Sequence, residues 1–342
     1  MNAGNLGNVW ILLRIVSGVA ALALLLRAAW TSRKVLRHFD VSRVTEGQLA
    51  LERQQELSTT LVRVAAGFTL ANLLLTVLLA ERLSHSLRGA MCGYGVFTSV
   101  SSGMPALGAS VVVAVAAGAV SQVIGLDTRV RTLDLAKPLA ELTLLLSALA
   151  AADLALTLRF LAELDLGVVA SCCSTVVDSA RGGAARFFEA PRAIAWSALV
   201  LCVLAVGSAF RSWKSPSHRG ALVSGALVLA AAPLAAAGIT LYVAPHLFEV
   251  PTHTCPFCLF GSEGAWLGYP LFGGLYGALV WGAGALLSAA FARTRMPVSE
   301  VLAPFLSSRF RSVFVTLTAV LAISVASVAR YYVVSGGAQL LP

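Results

Sequence analysis

Apolar runs of roughly 18 to 25 residues, the length that crosses a hydrocarbon core as a helix, recur along this chain between short polar stretches. They are rich in Ala and Leu and show no alternation of period two, so they do not read as strands of a membrane barrel. In lipid the backbone must satisfy its own hydrogen bonds, which leaves helices. The pattern predicts an all-α, multi-pass bundle of about eight spans, at 8–30, 57–80, 107–126, 138–161, 193–210, 220–244, 270–292 and 312–335. Between the first two, residues 31–56 mix basic side chains with Asp40, Glu46, Glu52 and Glu56 and read as a solvated or interfacial helix. The chain divides into an N-terminal region of three spans (1–137), a four-helix core (138–292) and a last loop and span (293–342).

Composition agrees with this picture and removes the soluble alternatives. Of 342 residues 58% are hydrophobic and 12% charged, with mean hydropathy +0.83. A soluble domain carries about 25% charged residues, so too little polar surface exists here to cover a water-facing globule. The formal charge of +9 would suggest nucleic acid in a soluble chain, but the basic residues sit in short loops without interleaved aromatics, and none is expected to bind it. They set topology instead. With the N-terminus outside, inside loops hold 15 Lys and Arg and outside loops hold 5, the rest falling in or at the edges of spans. By the positive-inside rule both termini are outside. The first run lacks a basic leader and is followed by basic residues, so it reads as a retained span.

The cysteines are segregated. Cys92, Cys172 with Cys173, and Cys255 with Cys258 fall in the three outside loops that follow spans 2, 4 and 6; only Cys202 lies in a span, where it reads as a small buried hydrophobe. Three accounts fit. Structural disulfides form where the compartment is oxidising, as outside a bacterial inner membrane. Cys255-Pro256-Phe257-Cys258 has the spacing of an exchange-active pair, whose thiolate is favoured near a helix start. The same pair is also half of a metal site, and with His253 it would suit zinc or Cu(I). Adjacent Cys172 and Cys173 would close a strained ring, so each is expected to pair elsewhere, with Cys92 or the Cys-x-x-Cys.

A few other residues stand out. Asp153 lies near the middle of the fourth span, where a carboxylate is costly and a functional candidate by default; it is a candidate proton-relay group, or else a hydrogen-bonded acid in a helix interface. Glu141, Arg63, Arg159 and Arg330 sit nearer span ends and are expected to snorkel. Gly273, Gly277, Gly282 and Gly284 mark a small face for helix packing. Trp266, Tyr269, Tyr331 and Tyr332 read as interfacial anchors. No phosphate-binding glycine loop, Ser/His/Asp set or haem-attachment motif occurs, since Leu259 follows Cys258.

Residues 138–292 resemble the vitamin K epoxide reductase family, functional relatives of the DsbB disulfide-generating proteins. Cys173-Ser174-Thr175-Val176 is similar to the family's loop motif, Cys255-Pro256-Phe257-Cys258 to its active site, and the order of helices and cysteines agrees. The resemblance implies that Cys258 faces a quinone, that Cys255 exchanges with a loop cysteine, and that electrons pass from external thiols, such as those of a thioredoxin-like protein, to a quinone in the bilayer. The family's first loop cysteine is absent here, leaving Cys172 or Cys92 to stand in; residues 261–269 are an insertion, and spans 1–3 and 8 have no counterpart. The leading expectation is thus a membrane thiol–disulfide oxidoreductase of a bacterial inner membrane, its cysteine loops in the periplasm. The alternatives are a copper- or zinc-handling membrane protein, and a non-catalytic subunit of a membrane complex with disulfide-stapled loops.

Overall fold

The computed structural model describes residues 8–39, 45–87, 89–90, 92–130, 135–165, 190–292, 301–338 and 340–341. Every regular element among them is a helix, without a strand. In chain order the elements are α1 (Val9–His38), α2 (Glu46–Ser84), the short α3 (Gly93–Thr98), α4 (Gly103–Val130), α5 (Ala136–Glu163), α6 (Pro191–Lys214), α7 (His218–Gly238), a π-helical turn (Ile239–Val243), α8 (Ala244–Phe248), a 3₁₀ turn (Phe257–Phe260), α9 (Gly268–Ala292) and α10 (Leu302–Val334). Eight of the helices are long and apolar enough to cross a membrane, counting α7 to α8 as one continuous segment. The chain is an integral, multi-pass membrane protein.

Local chemistry accounts for several starts. The Asn8 side chain accepts from the Trp10 N–H, Thr45 from that of Gln48 and Ser217 from that of Gly220, each satisfying an otherwise unpaired first-turn donor. Pro191 occupies the first position of α6, where its missing N–H is harmless. The helices run past the hydrophobic stretches read from sequence. Residues 31–38 and 46–56 are helical, but as continuations of α1 and α2 rather than as a separate interfacial element. The reason is tertiary: Val35, Phe39 and Leu51 from these extensions bury themselves against Ala136 and Ala140 at the start of α5.

The spans pack in two rings of four. In the first, α1 contacts α2, α2 contacts α4, α4 contacts α5, and α5 returns to α1; in the second, α6, α7, α9 and α10 close in the same order. The contact of α9 with α4 joins the rings. Segment 138–292 therefore contributes α5 to the first ring and α6, α7 and α9 to the second.

Helix α9 approaches its neighbours closely where a glycine on one helix faces a side chain on the other. A Cβ on Gly282 would lie 2.8 Å from Val228 of α7, and one on Gly284 would lie 2.6 Å from Gln122 of α4. Of the glycines read as a packing face these two serve it, whereas Gly273 faces open space. Leu12, Val16, Leu74, Leu145, Val200 and Val325 are each more than half exposed, which suits lipid and not water.

Candidate functional site: a three-cysteine cluster

The connection between α2 and α4 carries Cys92, which immediately precedes α3. The connection between α8 and α9 carries Cys255 and, inside the 3₁₀ turn, Cys258. These two loops belong to different rings, and Phe257 holds them together. Its ring packs 5.6 Å from that of Phe97, which in turn stacks on Phe160 of α5 at 5.5 Å. Phe257 also needs Gly93 beside it, since a Cβ there would lie 3.2 Å from the Phe257 ring and 3.3 Å from Ala80 of α2. Glu81 completes the seat by accepting from the Gly93 N–H at 3.2 Å. The residue between the two cysteines is thus the anchor that carries the second ring's loop onto the first.

The outcome is a meeting of three sulfurs. Cys92, Cys255 and Cys258 lie with their Sγ atoms all within 4.8 Å of one another, and Cys92 Sγ is 3.3 Å from Cys255 Sγ. Cys255 is fully buried, Cys92 nearly so, and Cys258 is partly exposed. The surroundings are apolar: Leu79, Leu83, Val96, Phe97, Phe160 and Phe257 share the cluster. Cys258 is the sulfur nearest the surface and Cys92 and Cys255 lie behind it, an arrangement suited to thiol–disulfide exchange, in which one sulfur attacks another.

The same trio is the group of described residues able to hold a metal. Thiolates ligated at about 2.3 Å would stand about 3.8 to 4.0 Å apart. The 3.3 Å contact is shorter than that spacing and well beyond the roughly 2.05 Å of a disulfide bond, so the distance by itself is compatible with either chemistry. His253 is absent from the group: its ring stacks on Phe248 at 4.1 Å, and its Nε2 is buried without a partner. The metal set expected from sequence, Cys255 and Cys258 with His253, is replaced by one in which Cys92 takes the third place. Cys172 and Cys173 lie outside the described residues. Cys202 is buried in α6, away from the trio.

Beneath the cysteines, inside the first ring, lies a polar network that sequence reasoning half found. Asp153 of α5 is not a lone acid. Its Oδ2 accepts from Arg14 Nη2 of α1 at 2.8 Å, and its Oδ1 accepts from Ser110 Oγ of α4 at 2.6 Å. Arg14 Nε donates to Thr76 Oγ1 of α2 at 2.7 Å, and Nη2 also donates to Thr157 Oγ1 at 2.9 Å. Arg14 is fully buried and Asp153 nearly so. All four spans of the ring contribute one or more groups. By helix rise the pair sits roughly 8 to 15 Å below the cysteine end. Arg14 lies as far into its span as Arg63 does into the next, so depth alone does not mark it; the one signal in the sequence is that a mid-span acid such as Asp153 calls for a base in another span. Of the other charges, Arg159 pairs with Glu163 at 2.7 Å, one turn away on the same helix, and Glu163 also accepts from Ser102.

No family model, no curated protein and no solved structure matches this chain.

Proposed function

We propose that the chain is a membrane thiol–disulfide oxidoreductase that works through Cys258, Cys255 and Cys92. One observation carries the proposal: a third cysteine from a distant loop lies 3.3 Å from the buried member of the Cys-x-x-Cys pair. Structural staples do not need a third sulfur at the same point, whereas a relay does.

The exchange would begin at Cys258, the exposed sulfur. A thiolate of an external dithiol protein attacks Cys258 of a Cys255–Cys258 disulfide; the new bond joins partner to Cys258, and Cys255 leaves as thiolate. The partner's second thiol then attacks its own bonded sulfur, releasing oxidised partner and a Cys255/Cys258 dithiol. Two electrons and two protons have entered the membrane protein. Cys92 and Cys255 would then be oxidised to a disulfide by a quinone of the bilayer, which takes the electron pair and both protons and becomes quinol; attack by the Cys258 thiolate on Cys255 forms the Cys255–Cys258 disulfide again and releases Cys92 as thiolate, with no further net oxidation. That acceptor class rests on the family resemblance, whose placing of Cys258 at the quinone this reading reverses because Cys258 is the least buried of the three sulfurs. Where the cysteine end faces the periplasm of a bacterial inner membrane, as the charge bias supports, the donor would be a thioredoxin-like or other thiol protein there.

The test is thiol trapping with mass spectrometry on native membranes, with dithiol donor and quinone added in turn. Cys255→Ser should abolish quinone-dependent donor oxidation, and Cys92→Ser should lower its rate at least tenfold. A Cys92→Ser variant that turns over at the parent rate removes the relay. Copper or zinc that copurifies stoichiometrically and is lost in Cys255→Ser would replace the redox role with a soft-metal one. Cysteines that never change state would leave a stapled, non-catalytic subunit.

A further inference from the structure

The second ring contains a feature that the cysteine chemistry does not use. A cavity of about 420 Å³ opens laterally between α6, the α7 π-turn region and α10, lined among others by Trp196, Cys202, Ile239, Tyr242, Val325 and Tyr332. Its lining on α10 runs from Val320 to Tyr332, about 18 Å along the helix axis by helix rise. It is therefore long and narrow, parallel to the bilayer normal, and it lies at membrane depth with its side open to lipid. Its existence follows from local sequence. Ala195, Ala198, Ala235 and Gly238 leave the α6–α7 seam without bulk, and the π turn at Ile239–Val243 inserts the extra residue that re-aims Tyr242.

Polarity in this groove is one-ended. Among the described residues no acid or base lines it; apart from Ser324 and the Cys202 thiol, its polar side-chain groups are the Tyr242 and Tyr332 phenols and the Trp196 indole, all toward the end of the bundle that carries the cysteines. Behind the phenols sits His246, its ring 4.4 Å from Tyr242, 5.1 Å from Tyr331 and 5.8 Å from Tyr332. His246 Nδ1 lies 2.6 Å from the Tyr242 carbonyl oxygen, which can only accept, so Nδ1 donates to it. That Nε2 is buried without a partner. The nearest base on the rim, Arg192, donates to the Leu341 carbonyl oxygen.

We infer that this groove binds a single-chain amphiphile whose hydrocarbon tail lies along α6 and α10 and whose head carries uncharged oxygen. The tail follows from the length, narrowness and apolar walls of the groove. The head follows from two phenols, hydrogen-bonded to each other and gathered at one end, and from the one base that acts on Tyr242, Arg192, lying outside the lining and donating to the Leu341 carbonyl oxygen. His246 acts through the tyrosines as a positioning residue, wedging Tyr242 of the π turn against Tyr331 and Tyr332 of α10. The site lies in the other ring from the cysteine trio and stands or falls independently of the redox proposal.

The experiment uses the full chain in liposomes with a chain-photoreactive hexadecanol and, in parallel, the same chain with a phosphate head. The expected result is saturable labelling of peptides spanning 195–202 and 320–332 by the alcohol, displaced by unlabelled hexadecanol and not by the phosphate-headed analogue. Tyr242→Phe combined with Tyr332→Phe should reduce that labelling at least fivefold. Ser324→Leu, which fills the groove and leaves the phenols in place, should do the same. A third arm competes with a short-chain quinone, and displacement there identifies a quinone as the natural source of the uncharged head. Labelling spread evenly over all lipid-facing helices, equal displacement by the phosphate head, or indifference to the paired Tyr→Phe change would each overturn the assignment.

Discussion

Replacing Asp153 by Leu would leave the Arg14 guanidinium buried in the bilayer with its carboxylate gone. The structure indicates the size of the effect. Arg14 is fully enclosed, its Nη1 already lacks a partner, and Nη2 would keep only the Ser110 and Thr157 hydroxyls. Breaking a buried ion pair from one side costs about 3 to 5 kcal/mol, because the remaining charge is desolvated and uncompensated. At about 1.4 kcal/mol per factor of ten, the folded-to-unfolded ratio should fall between roughly 10²- and 10⁴-fold. Arg14→Met alone should cost a similar amount by stranding Asp153. The double variant Arg14→Met with Asp153→Leu removes both charges and leaves an apolar seam between α1 and α5, so it should lie within about 2 kcal/mol of the parent. Equilibrium unfolding in mixed micelles, run on all four proteins as a double-mutant cycle, measures the coupling. Single variants that each cost under about 1 kcal/mol, or a double variant as unstable as the sum of the singles, would refute the claim that the ring is organised around a matched pair.

Other outcomes follow from the same geometry. Phe257→Ala should cut oxidant-induced Cys92–Cys255 crosslinking at least tenfold, measured by mass spectrometry, while α-helical content by circular dichroism stays at the parent level, because the ring anchors one loop and no span. Gly282→Leu should lower the yield of folded protein sharply, as its side chain would enter the space of Val228 on α7; Gly273→Ala, facing open space, should not. A membrane-impermeant maleimide should reach Cys258 from one side of sealed vesicles, and a cysteine placed at the exposed Ser215, between α6 and α7, only from the other. Labelling of both from one side would contradict the eight-span topology.

The sequence by itself determined the number and nature of the spans. Runs of apolar residues long enough for the bilayer can satisfy the backbone only as helices, and this constraint acts on each segment separately. It also determined the one-sided distribution of cysteines, since successive loops of a multi-pass chain must alternate sides. The starts read at 138, 193, 220 and 270 fall two residues inside α5, α6, α7 and α9, whereas the extensions of α1 and α2 depended on contacts with α5 that no local pattern announces. Only the tertiary structure decided which residues meet. Cys92 and Cys255 are 163 positions apart, and their contact depends on Phe257 reaching across from one ring to pack on Phe97 of the other. Arg14 and Asp153 are 139 positions apart and become partners only because α1 and α5 close the first ring at matching depths. His253, close in sequence to the Cys-x-x-Cys, turns to Phe248 instead, because a ring beside a cysteine in the chain can still face the opposite way in space. Burial in lipid selects each helix independently; the pairing of side chains between helices is a property of how the rings pack.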